Sequence, residues 1–177
     1  SIFFTCSMGD LFHELVPWWF IGQVFDAMIA SPQHTFQVLT KRPGRMAFWS
    51  RKMEEVCRER GLPWSWPPNV WAGTSVESAE YLPRCGVLNR VPARVRFISA
   101  EPLLGPLDLR PFLINPQDSD WIEGQGHGAV LQWVIAGGES GPGARPMDRA
   151  WVRGIRDQCQ AAGVPFFFKQ WGGQRPG

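Results

Sequence analysis

The sequence is poor in the features that commit a chain early to a special environment. It has no apolar run approaching the roughly 20 residues a membrane helix requires, its longest stretches resembling Val164-Pro165-Phe166-Phe167-Phe168. No membrane partner is expected. Cysteines are few: Cys6, Cys57, Cys85 and Cys159 stand far apart, with no C-x-x-C pair and no histidine at ligand spacing. That pattern leaves neither a zinc site nor a disulfide framework to read, and reduced, buried thiols of a cytoplasmic protein are expected instead. Charge of one sign is also lacking. A formal net charge of +2 makes no electrostatic footprint for a nucleic-acid backbone or an anionic membrane, so nucleic acid as a partner is neither indicated nor excluded. Finally, no initiator methionine or signal peptide precedes Ser1-Ile2-Phe3-Phe4-Thr5, which reads as a buried strand without a lead-in. The chain is therefore expected to be the C-terminal portion of a longer protein, with a missing N-terminal segment completing its fold.

What is present is a β/α alternation over 177 residues, 44% of them hydrophobic, enough for one globular core. An apolar strand over 1–6 precedes a helix opened by Pro17 and running to about Ala30, with Phe20, Val24 and Met28 at helical spacing and a stop at Ser31-Pro32. A second strand, Thr35 to Leu39, leads to a helix from about Arg45 to Arg60. Met46, Trp49, Met53 and Val56 share one face of that helix, and Gly61 is its natural stop. The third strand spans Asn69 to Gly73, a helix about Ala79 to Asn89, and the fourth strand Val95 to Ser99. Residues 105–128 are rich in Gly, Pro and Asp and read as an irregular loop or lid with little structure of its own. The fifth strand spans Leu131 to Ala136; Asp148 then caps a helix with Val152, Ile155, Cys159 and Ala162 in phase, Gly163 ends it, and Pro165 to Phe168 is the sixth strand.

Strands joined by helices run parallel, because each crossover returns the chain to the same end of the sheet. Six such units fall short of the eight units and about 250 residues of a closed barrel. The expected fold is α/β, a partial, six-unit parallel β/α barrel of the TIM type forming a single domain. An open doubly wound sheet is the rival architecture.

In either fold, functional groups project from the C-terminal ends of the strands. That face is expected to carry Asp10, Lys41, Arg42, Ser75, Glu77, Ser99, Glu101, Glu139, Ser140, Lys169 and Gln170. Glu101 follows an apolar strand and precedes Pro102, which holds it extended. Its carboxylate can take a proton, bind a substrate amine or pair with Lys41. Glu101, Lys41 and Asp10 are the candidate catalytic residues. Lys41 and Arg42 suit a phosphate or carboxylate, Arg by its fork and Lys as a point charge. Gly137-Gly138-Glu139-Ser140-Gly141 is a turn whose missing side chains would let a ligand reach backbone N–H donors, although it is neither G-x-G-x-x-G nor a P-loop. Trp171 is placed to stack on a planar ligand. The other tryptophans are core by default; His13 is read as a packed, hydrogen-bonded residue rather than a catalytic one, and His34 as a structural residue capping the start of a strand at the opposite end of the sheet. No Ser/His/Asp set and no metal-ligand cluster stands out.

The segments Ser7-Met8-Gly9-Asp10-Leu11-Phe12-His13, Gln37-Val38-Leu39-Thr40-Lys41-Arg42-Pro43, Ser99-Ala100-Glu101-Pro102-Leu103-Leu104-Gly105, Gly137-Gly138-Glu139-Ser140-Gly141 and Phe166-Phe167-Phe168-Lys169-Gln170-Trp171-Gly172 resemble a phage-associated bacterial protein family of unknown function. The likeness runs in order over nearly the whole chain. It implies a radical S-adenosylmethionine-like enzyme whose N-terminal cysteine-rich part, absent here, would carry a [4Fe-4S] cluster. On that resemblance this chain is the substrate- and cofactor-binding portion, with a nucleotide, another small molecule or a nucleic acid as ligand. It would hold neither S-adenosylmethionine nor a cluster by itself. Two further readings remain open: a cluster-free barrel enzyme with Glu101 as base and Lys41 or Lys169 stabilising an anionic substrate, and a non-enzymatic module for a phosphate-bearing partner.

Overall fold

The structure is a computed structural model, described here for residues 1–5, 9–113 and 131–173. Six strands, β1 (Ile2–Thr5), β2 (Thr35–Thr40), β3 (Val70–Ser75), β4 (Arg96–Ala100), β5 (Trp133–Ala136) and β6 (Phe166–Phe168), lie side by side in chain order. Every neighbouring pair is parallel. A doubly wound sheet would reverse its strand order at a switch point; this one does not. The sheet is a curled half-barrel, the partial barrel expected.

Between the strands run α1 (Trp18–Ile29), α2 (Pro43–Glu59), α3 (Pro83–Leu88) and α4 (Arg149–Ala161). The core lies between them and the convex face of the sheet, where Val38, Ala72, Ile98 and Val134 meet Ile21, Met46, Leu88 and Ile155. Local chemistry explains the helix ends. Pro43 opens α2 at a position where its missing N–H costs nothing. The Asp148 carboxylate accepts from the Ala150 N–H at 2.8 Å, capping α4, and Gly163 takes φ +66 just beyond its end.

Several sequence expectations are corrected. β1 is not buried, since it pairs only with β2 and lies at the sheet edge with Ile2 62% exposed. The buried stripe of α1 is Ile21, Phe25 and Met28, with Phe20 exposed and Val24 half-buried. The helix is apolar on nearly every side, so periodicity alone does not choose its inner face. On α2, Met46 and Trp49 are buried and Met53 packs on the core, but Val56 is exposed, lying near the far end of the helix. The helix expected over 79–89 is a 3-10 turn, Ala79–Tyr81, followed by α3. Pro83 lacks an N–H and its ring crowds the preceding turn, so one continuous helix is blocked. Among the described tryptophans only Trp49 and Trp66 are buried.

The lid expected over 105–128 is anchored in its first part. Leu107, Leu109 and Leu113 are buried, and the Gln158 carboxamide of α4 clamps the strap by donating to the Leu107 carbonyl at 2.9 Å and accepting from the Leu109 N–H at 2.6 Å. Its remainder, from 114 onward, lies outside the described residues.

Candidate functional site at the strand ends

Because the strands are parallel, their C-terminal ends gather residues far apart in sequence. At the β1–β3 side, Asp10 is fully engaged. Its Oδ1 accepts from the Thr40 hydroxyl at 2.7 Å and the Phe12 N–H at 2.9 Å, and its Oδ2 from the Lys41 N–H at 3.2 Å and Arg42 Nη1 at 3.0 Å. This carboxylate braces the loop after β1 against the end of β2. Lys41 does not pair with Glu101; it reaches Glu77 at 2.7 Å, whose other oxygen meets Arg84 Nη1 at 3.0 Å. Arg84 also donates to the Ser75 carbonyl at 2.8 Å, tying α3 to the end of β3. The Lys41–Glu77–Arg84 triad carries one more positive than negative charge.

At the β4–β6 side, Glu101 is clasped by Lys169, whose Nζ lies 2.9 and 3.1 Å from its two oxygens. Gln170 Nε2 donates to the Ser140 hydroxyl at 2.8 Å and sits 3.4 Å from both Glu101 Oε1 and the Gly138 carbonyl. Gly137 makes room for Glu101, since a Cβ there would stand 3.2 Å from Glu101 Cδ. The glycine turn differs from its expected role. The Gly137 N–H goes to the Ala100 carbonyl at 3.2 Å and the Gly138 N–H to the Gln170 carbonyl at 2.9 Å. A Cβ on Gly138 would collide with the Trp171 carbonyl, and one on Gly172 with that of Glu139. These glycines thus admit the loop after β6, backbone on backbone. Glu139 faces Arg145, which grips both its oxygens at 2.7 and 2.8 Å and holds its carboxyl at about 2, well below the usual range.

Between the two sides, the concave face of the sheet forms a cleft of about 720 Å³. Phe4, Leu39, Trp133, Ile135 and Phe167 supply its apolar wall, and Gln37, Ser99, Glu101 and Lys169 its polar groups. Alternation along parallel strands puts these residues together, with Ser99 level with Ile135 and Ile135 with Phe167. Its floor is an aromatic cluster in which Trp133 meets Phe97, Trp71 and Phe167 at 5.6, 5.8 and 6.5 Å between ring centroids. The size and the mixture of apolar wall with few polar groups suit a small-molecule site. A second cavity of about 370 Å³ adjoins it, sharing Phe4 and Leu39 and reaching Asp10, Lys41, Arg42 and Ser75.

Of the residues expected at the site, Ser99, Glu101 and Lys169 line the larger cleft, and Asp10, Lys41, Arg42 and Ser75 the smaller one. Glu77 supports Lys41 from below. Glu139 and Ser140 face protein partners, and Trp171 packs on Phe168 at 4.6 Å with Arg149 over it at 5.4 Å, outside the cleft wall. His13 accepts from the Leu15 N–H at 3.2 Å, and His34 packs against Phe3 and Phe36, the roles expected of them. Sequence reasoning missed Gln37, Trp133 and Phe167 as cleft residues and Arg84 and Arg145 as carboxylate partners. The alternation of β2, β5 and β6 carried the signal for the first three, but only strand register tells which face is concave.

Among the described residues, no group of three His, Cys, Asp or Glu side chains is placed to hold a metal ion. Cys85 and Cys159 are buried in the helix layer, where desolvation pushes their thiols up to about 12 and about 11. Cys6 lies outside the described residues, and no helix of the described chain is long and apolar enough to cross a membrane. A family model described as a protein of unknown function matches residues 1–177. No curated protein and no solved structure matches the chain.

Proposed function

From the premise that the chain belongs to that family of unknown function, DUF5131, we propose that it is the ligand-binding portion of a β/α-barrel enzyme acting on a nucleotide or nucleic acid. The observation that carries this reading is the Glu101–Lys169 pair, set 2.9 Å apart at the edge of an apolar cleft of about 720 Å³. A carboxylate so placed can accept a proton from a bound substrate, and the ammonium beside it stabilises negative charge developing on the same molecule. Gln170 and Gly137 position Glu101, which stays partly open to solvent at the edge of the cleft.

The finer assignment is a radical S-adenosylmethionine enzyme of a phage-associated family, supported by the five sequence segments named above. A [4Fe-4S] cluster would supply one-electron chemistry there. The described residues do not fit that group, since Cys85 and Cys159 are buried and apart from the cleft and Glu139 is spent on Arg145. No step is therefore routed through it. The Glu101–Lys169 pair also carries a second reading, a cluster-free acid–base enzyme centred on Glu101.

A protein that includes the cysteine-rich segment implied by the resemblance, purified without oxygen and supplied with iron and sulfide, separates the two. A brown protein that cleaves S-adenosylmethionine supports the radical reading. Iron-independent turnover, abolished in Glu101→Gln at unchanged melting temperature, supports the second. Ligand binding with no turnover in either preparation would reduce the site to a binding module and overturn the enzyme proposal.

A further inference from the structure

Three polar side chains of the concave face are more than nine-tenths buried and have no side-chain hydrogen-bond partner among the described residues: Gln37 at 7% exposure, Ser99 at 5% and Ser75 at 5%. Gln37 and Ser99 line the larger cavity and Ser75 the smaller. Their polar atoms are not sealed off from the cavities, so each offers hydrogen-bonding capacity that a ligand or ordered water there can use. Gln37 is the most informative. Its carboxamide presents an acceptor and two donors in one plane, the pattern that pairs with the edge of a nucleobase. It stands in the cavity walled by Trp133 and Phe167, where a planar ring finds aromatic surface.

The smaller cavity supplies a different chemistry. Its carboxylates are already used: Asp10 by four donors, and Glu77 behind it by Lys41 and Arg84. Donor capacity remains on the cations. Lys41 Nζ spends one of three protons on Glu77 and stays largely exposed, and the Arg42 guanidinium spends Nη1 on Asp10. With the unpartnered Ser75 hydroxyl beside them, the lining is a donor-rich pocket with a positive triad behind it, suited to a phosphate. Gln37 and Lys41 are four residues apart on β2 and its continuation, about 13 Å of strand, which the length of the Lys41 side chain reduces.

We propose that the two adjoining cavities form one nucleoside-monophosphate site, with the base against Trp133 and Phe167, its edge read by Gln37, and the phosphate held by Lys41, Arg42 and Ser75. The proposal rests on the ligand-binding reading given above and goes beyond it by assigning each end of the ligand to named residues.

Calorimetric titration of the whole chain with adenosine, adenosine monophosphate, inorganic phosphate and a short single-stranded oligonucleotide tests it, with Gln37→Leu and Lys41→Met as variants. The monophosphate should bind at least about tenfold tighter than adenosine, and Lys41→Met should remove that margin. Gln37→Leu should weaken nucleoside and monophosphate alike by roughly tenfold. The same variant should melt no lower than wild type, because among the described residues the Gln37 carboxamide has no hydrogen bond to lose and leucine is of similar size. A tighter oligonucleotide with the same Gln37 dependence identifies the ligand as part of a nucleic acid; a tighter free monophosphate identifies a metabolite. Equal affinity for adenosine and its monophosphate overturns the phosphate site, yet leaves the cleft and the Glu101 reading standing. No binding of any nucleoside overturns the proposal altogether, whereas the Glu101 reading falls separately, on turnover that survives Glu101→Gln.

Discussion

Gly73 and Phe97 provide the sharpest test of the concave face on which the site is built. They are register partners on β3 and β4, and the Phe97 ring lies directly over the glycine. A Cβ at position 73 would stand 2.6 Å from both Cε carbons of that ring and closer still to Cζ. The ring is fully buried and packs on Trp133, so it has little freedom to withdraw. Gly73→Ala is therefore an overpacking substitution costing about 1–3 kcal/mol, which for a domain of this size lowers the melting temperature by roughly 2–12 °C. Phe97→Ala alone should cost about 3–5 kcal/mol through lost burial and the cavity it leaves. In the double variant the new methyl group occupies space the ring has vacated, so most of the first cost disappears. Urea unfolding of the four proteins should give a coupling of about 1–3 kcal/mol in favour of the double variant. Additivity to within about 0.5 kcal/mol would mean that Phe97 does not cover Gly73, and the register that assembles the cleft would be wrong.

Asp148→Ala removes the cap of α4 and should cost about 1 kcal/mol, measured by chemical denaturation. Glu139 has its folded pKa held at about 2 by Arg145, below its ordinary 4.5. Its contribution to stability is thus present above pH 4.5 and fades as pH falls towards 2, so the melting temperatures of wild type and Glu139→Gln should differ at pH 6 and converge by pH 2. Burial pushes the Cys85 and Cys159 thiols up to about 12 and about 11; native protein at pH 8 should leave both unalkylated by iodoacetamide in peptide mass maps, and urea-unfolded protein should lose that protection.

The common direction of the strands was legible from residue pattern alone, whereas their side-by-side order, which separates a partial barrel from a doubly wound sheet, came from the tertiary structure. Apolar segments such as Thr35–Thr40 and Val70–Ser75 alternate with helices bounded by Pro43, Asp148 and Gly163, and short-range chemistry decides such boundaries. The strand-end position of Glu101, Lys41 and Lys169 follows from the same reasoning, because parallel strands share one exit face. Partnership did not follow. Glu101 meets Lys169, 68 residues away, and Lys41 meets Glu77, since ion pairs are selected by strand neighbourhood and side-chain reach, which no local pattern encodes. The inner stripe of the nearly all-apolar α1, the concave setting of Gln37 and Trp133, and the packing of Gly138 on the Trp171 carbonyl likewise depend on which surfaces the curl of the sheet brings together, and only the tertiary structure decides that.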